Sequence, residues 1–144
     1  MEEDATETLR VSRIVPARKE MVFKAWTDPS QLKKWWCIGE GWTTPFAEVD
    51  LRVGGRIALG NQPLGGGTVV ITGEFLRVEP PDRLVYTWRF PGARPEESVV
   101  TVEFNELGAQ TEVVITHERS PKAMAPGAIA GWRTALEGLA SFLA

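Results

Sequence analysis

From Thr8 to Ile14, Leu9, Val11 and Arg13 fall on one side of the chain and Arg10, Ser12 and Ile14 on the other. With the β-branched content of the segment, this period of two predicts a first strand. Pro16 stands where the first turn of a helix tolerates it, and Val22, Phe23, Ala25 and Trp26 gather on one side of the helix that follows. Asp28-Pro29 ends that helix, because the residue before a proline is driven out of the α region. Asp28 can then cap a second short helix through Trp36.

From Phe46 to Glu118 the rhythm changes to β-rich runs broken by Gly, Pro and Asp clusters, the mark of an antiparallel meander. The predicted strands are Phe46 to Leu51, Arg56 to Leu59, Thr68 to Val78, Arg83 to Phe90, Ser98 to Asn105 and Thr111 to Glu118. Residues 61–67, 79–82, 91–97 and 106–110 supply the connections. Beyond Pro121 the period becomes helical: Met124, Ala128, Ile129, Trp132, Ala135, Leu136, Leu139, Ala140 and Leu143 recur at three and four. Pro126 is acceptable only in a first turn, so this helix starts near Ala123 to Pro126 and runs almost to Ala144. Gly131 inside it costs about 1 kcal/mol relative to alanine, which predicts a close backbone approach there.

A long amphipathic helix needs a concave apolar surface, and a twisted sheet of about seven strands can provide one. The expected class is therefore α+β, a curved antiparallel sheet wrapped around the C-terminal helix, with two short helices after the first strand. No repeat or linker divides the chain. Residues 8–144 read as a single domain behind an acidic, frayed start over residues 1–7.

Composition narrows the function classes. The acidic start lacks the basic and apolar regions of a signal peptide, and no apolar run reaches the roughly 18 residues of a membrane span. A cytoplasmic protein without membrane insertion is expected. Net charge is −3, with both signs scattered, which leaves no footprint for nucleic acid. Cys37 is the only cysteine and His117 the only histidine, so neither an internal disulfide nor a Cys/His zinc site can be built, and no cofactor is expected. Six tryptophans in 144 residues are the unusual feature.

The run Glu48-Val49-Asp50-Leu51-Arg52-Val53-Gly54-Gly55-Arg56 resembles the D-L-R-x-G-G-R signature of domains related to the C-terminal part of activators of the heat-shock-protein-ninety ATPase (AHSA-type domains). Further agreement lies in Asp28-Pro29 with Leu32 and Trp35-Trp36, and in Gly73 to Leu76 followed by Pro80 to Trp88. Thr111 to His117, and Gly131-Trp132 before Leu136 and Leu139, complete it. The similarity spans about Thr8 to Ala144 in the right order. It implies the helix-grip fold of the START-like (SRPBCC) superfamily, with a cavity between sheet and C-terminal helix. That superfamily holds carriers, sensors, cyclases and chaperone partners, so the fold alone selects no function.

Period two assigns faces to the expected cavity wall. Val113, Ile115 and His117 share one face of the last strand, and the set Glu112, Val114, Thr116 and Glu118 should meet water. Likewise Leu84, Tyr86 and Trp88 share a face, as do Val100, Val102 and Phe104; Phe75 and Val69 to Ile71 extend the wall, and Trp132 faces it from the helix. The expected ligand-binding residues are thus Tyr86, Trp88, Phe104, His117, Trp132, Phe75 and Ile115. Their polar handles are the Tyr86 hydroxyl, the Trp88 indole and His117, which suit a small, mostly apolar molecule with one or two oxygens. The competing reading is that these rings merely fill the core. His117 is either a general base or a hydrogen-bonded structural residue.

Other motifs have plainer readings. Glu48, Asp50 and Arg52 alternate onto one face and read as a cross-strand ion pair. Lys33-Lys34-Trp35-Trp36 reads as a helix end with Trp35 or Trp36 buried, Trp42 as a loop residue at the cavity mouth, and Cys37 as a buried thiol. Neither a phosphate-binding loop nor a nucleophile elbow occurs. The expected function is a non-enzymatic binding module, a carrier or sensor for a small hydrophobic or lipid-like molecule, present as a monomer or weak dimer. One alternative, which the resemblance implies, is a heat-shock chaperone partner in a stress response. The other is a cyclase-like or hydrolase-like enzyme, in which Tyr86, His117 or Arg89 would converge on a substrate.

Overall fold

The structure is a computed structural model that describes residues 6–91 and 98–144. The first strand, β1 (Thr6–Val15), is followed by helices α1 (Lys19–Thr27) and α2 (Pro29–Trp35). Strands β2 (Ala47–Val49), β3 (Arg56–Asn61), β4 (Val69–Glu79), β5 (Arg83–Trp88), β6 (Ser98–Leu107) and β7 (Gln110–Pro121) come next, and a 3-10 turn over Lys122–Met124 leads into α3 (Ala125–Leu143). The predicted elements are all present, with ends moved by a few residues, and Thr6 and Glu7 lie in β1 rather than in the start before it. Of the expected 91–97 connection, all beyond Pro91 lies outside the described residues.

The seven strands form one curved antiparallel sheet in the order β1-β7-β6-β5-β4-β3-β2, so the chain's first strand pairs with its last and the rest follow as a meander. Pairing to β7 holds Leu9, Val11 and Val15 on the inner face, where they are buried. On α1, the same four residues read from the sequence, Val22, Phe23, Ala25 and Trp26, are buried. Asp28 caps α2, its Oδ1 accepting the Ser30 backbone N–H at 2.9 Å. The inner face of α3 carries Trp132, Ala135, Leu136, Leu139 and Ala140 against the sheet and α2. The result is an α+β helix-grip architecture.

Four details depart from expectation. Val114, assigned to the water face, is 2% exposed: β7 has a neighbour on each side, and Val114 stands between Ser12 of β1 and Glu103 of β6 on the outer surface. The close backbone approach in α3 is at Gly138, where an added Cβ would sit 2.5 Å from the Trp35 carbonyl oxygen; at Gly131 the nearest atom, in Ile38, is at 3.7 Å, an ordinary contact. The ion pair of the 48–52 segment is not cross-strand, because β2 ends at Val49; Arg52 Nε meets Asp50 Oδ2 at 2.9 Å within one exposed turn. Trp35 and Trp36 are both buried, and each indole N–H has a partner, the Ala25 carbonyl and Asn61 Oδ1 respectively, both at 2.8 Å.

Candidate functional site

Between α3 and strands β5, β6 and β7, three side chains and one backbone carbonyl form a hydrogen-bonded line. Trp132 Nε1–H on α3 donates to His117 Nδ1 on β7 at 3.1 Å. His117 Nε2 lies 2.8 Å from Ser98 Oγ, at the start of β6, and Ser98 Oγ–H donates to the Trp88 carbonyl at 3.0 Å. An indole N–H can only donate, so Nδ1 must be the acceptor and the proton of the neutral ring sits on Nε2. Donors and acceptors then run in one direction from Trp132 to Trp88. Burial lowers the His117 pKa to about 4, leaving the ring neutral at physiological pH.

This line decides what His117 can do. A histidine that activates a serine needs an unprotonated Nε2 facing the hydroxyl and an acceptor behind Nδ1. Here the group behind Nδ1 is a donor, and Nε2 carries the proton, so the Ser98–His117 pair has the spacing of a nucleophile and base with the opposite polarity. His117 is a structural tie between strand and helix.

Beside the tie a cleft of about 460 Å³ opens to solvent. Its aromatic walls are Trp36, Trp42, Trp88, Phe90 and Trp132; Ile71 contributes to the wall, and the α3 entry from Ala123 to Gly131 forms another side. One irregularity in β7 shapes the rim. Glu7 pairs with Ser120 but Leu9 pairs with His117, so Glu118 and Arg119 together oppose Thr8 in a β-bulge, and Arg119 takes φ 59. The bulge reverses the inward phase of the strand. His117 points inside and so does Ser120, three residues on, which is 1% exposed and lines the cleft. A left-handed conformation at a residue with a Cβ costs about 1–2 kcal/mol.

Of the seven residues assigned to the wall, Trp88, His117 and Trp132 meet at the cleft. Tyr86, Phe104, Phe75 and Ile115 do not; they are 0–2% exposed in the packed core behind it. The space expected to be hollow is filled by rings from α1 and α2. Trp26 donates its N–H to the Tyr86 hydroxyl at 3.2 Å, stands 6.1 Å from the Phe104 ring and stacks 6.5 Å from Trp132. Burial accordingly pushes the Tyr86 phenol well above its usual range. Trp42 does lie at the cleft, while Cys37 is half-buried with its thiol donating to the Gly39 carbonyl at 2.8 Å. Arg89 lines the cleft. Sequence reasoning missed Trp36, Ser98, Arg119 and Ser120 as cleft residues, and for Ser120 no signal existed, because nothing in the local residues announces the bulge. Among the described residues no cluster of His, Cys, Asp and Glu able to hold a metal ion occurs, and no helix is long and apolar enough to cross a membrane.

Residues 16–144 match the family described as Activator of Hsp90 ATPase homolog 1-like protein. The chain belongs to that family. Among solved structures, a protein of Chromobacterium violaceum is 29% identical, with a TM-score of 0.85 over 95% of this chain and 97% of its own. A member of the Activator of Hsp90 ATPase homolog 1-like family from Aeromonas hydrophila is 28% identical, with a TM-score of 0.77 over 93% of this chain and 91% of its own. An HSP90 activator from Plasmodium falciparum is 30% identical, with a TM-score of 0.63 over 80% of this chain and 74% of its own. No curated protein matches.

Proposed function

We propose that this family member is a non-enzymatic binding module that takes a small, mostly apolar molecule into the cleft beside Trp88, His117 and Trp132. The observation that carries the reading is the cleft itself, about 460 Å³ with tryptophan and phenylalanine walls, within the roughly 300–1,000 Å³ of small-molecule sites. The direction of hydrogen bonding through His117 supports binding over catalysis, since it leaves Ser98 without a base. The core behind the cleft is packed, which limits the ligand to the outer end of the space between sheet and α3.

The test is native mass spectrometry of freshly purified protein, followed by denaturing extraction. A bound small molecule lost on denaturation is the expected result. Protein that is empty after purification and that binds no apolar probe would overturn the reading.

Family membership favours a second reading, action on a heat-shock chaperone, because the Plasmodium relative is an HSP90 activator. Stimulation of the matching chaperone's ATPase by the purified chain would support it. Unchanged turnover at saturating concentration would remove it.

A further inference from the structure

Five of the six tryptophans belong to one interlocked cluster, in which Trp26, Trp35, Trp36, Trp88 and Trp132 are in ring-to-ring contact. Trp42 stands apart. Among the described residues its indole has no ring partner; it is half-buried and lines the cleft from the loop between α2 and β2. The backbone that carries it is braced on both sides. Trp42 N–H donates to the Gly39 carbonyl at 3.1 Å, closing a turn in which Gly41 takes φ 81. Next along the chain, Thr43 and Gln62 exchange both backbone hydrogen bonds at 2.9 Å. Gly39 sets where the ring lies, because an added Cβ would fall 2.6 Å from Trp42 Cδ1 and Nε1. The indole therefore rests on a residue without a side chain, borders the cleft, and can turn about its two side-chain bonds while its backbone stays in place. Apolar ring surface left in water is unfavourable in proportion to its area, so an occupant that covers it is favoured.

We propose that Trp42 is a clamp that closes over an apolar molecule in the cleft and sets how long it stays. This rests on the reading of the cleft as a ligand site and adds the residue that retains its occupant. Trp36, Trp88 and Trp132, held by their neighbours, form the fixed wall, and Trp42 supplies the adjustable one. The exposed part of its ring is covered only in the bound state, so the gain slows release and leaves entry almost unchanged.

Stopped-flow fluorescence with N-phenyl-1-naphthylamine, a neutral apolar dye, reads entry and release separately. Relative to the unaltered protein, Trp42→Ala should raise the dissociation rate about tenfold and change the association rate by less than about twofold. Trp42→Phe, which keeps a smaller ring, should raise dissociation by about threefold. Gly39→Ala keeps the indole and displaces it, so its dissociation rate should rise by roughly fivefold with Trp42 still present. Unchanged release in Trp42→Ala, or in Gly39→Ala should the first variant fail to fold, would overturn the clamp and leave the cleft reading standing. Equal rises in both rates would make Trp42 a barrier to passage and would overturn the clamp as well. A dye that does not bind the unaltered protein would remove the cleft reading, and this inference with it.

Discussion

Trp132 Nε1–H points at His117 Nδ1 from 3.1 Å, and this single contact sets the tautomer of the chain's only histidine. Replacing Trp132 by phenylalanine keeps a ring against Trp88 and removes the donor. The Nδ1 lone pair is then unpaired, and protonation of the ring no longer sets two N–H groups against each other. The His117 pKa should therefore rise above about 4, while burial still holds it below its ordinary 6.5. Histidine-selective NMR titration reads this from one set of ring signals, and the nitrogen shifts of the unaltered protein should report Nε2–H. A pKa unmoved by Trp132→Phe would show that burial alone sets it.

The depressed pKa also fixes a pH dependence. Between about 4 and 6.5 the unfolded chain holds a proton at His117 that the folded one does not, so acid favours unfolding across that window. The stability is fully present above pH 6.5, falls as pH drops, and the loss is complete below about 4, amounting to on the order of 3 kcal/mol. Carboxylates contribute their own acid sensitivity, so the measurement is a difference. Urea unfolding of the unaltered protein and of His117→Gln from pH 4 to 7.5 should give profiles that converge toward low pH. Parallel profiles would refute the shift.

Local periodicity was enough for the frame and not for the site. Val113, Ile115 and His117 were readable as one inner face because a half-buried strand alternates, and α1 was readable because four apolar residues repeat at helical spacing. Four of the seven wall residues proved to be core because Trp26, Trp35 and Trp36 fill the space beside them, and contacts of such sequence separation leave no local trace. The bulge at Glu118–Arg119 was equally silent: neither residue is glycine or asparagine, yet it decides that Ser120 faces inward. The tautomer of His117 needed both partners, on β6 and α3, to be located first.

Ser98 and His117 have the separation of a hydrolase pair, and their polarity predicts inertness. A fluorophosphonate, which reports activated serines, should leave the mass of the protein unchanged during prolonged incubation. A single adduct mapped to Ser98 would mean that Nε2 is unprotonated and that Trp132 does not donate to Nδ1, and would overturn the assignment.

Two glycines one heptad apart in α3 should respond to alanine with opposite signs. At Gly138 a Cβ would fall 2.5 Å from the Trp35 carbonyl oxygen, and that oxygen belongs to backbone packed between two buried indoles, so helix and α2 must move apart. Gly138→Ala should cost about 1–3 kcal/mol, as overpacking does elsewhere. At Gly131 the nearest atoms are at 3.7 Å, so the added methyl meets ordinary contacts while the chain gains helix propensity. Gly131→Ala should therefore be neutral or stabilising by up to about 1 kcal/mol. Urea unfolding at pH 7.5 measures both, at a pH where His117 is neutral in either state. Similar losses at the two positions would mean that α3 lies closer to Ile38 than the 3.7 Å separation describes, and the packing of α3 on α2 would need to be redrawn.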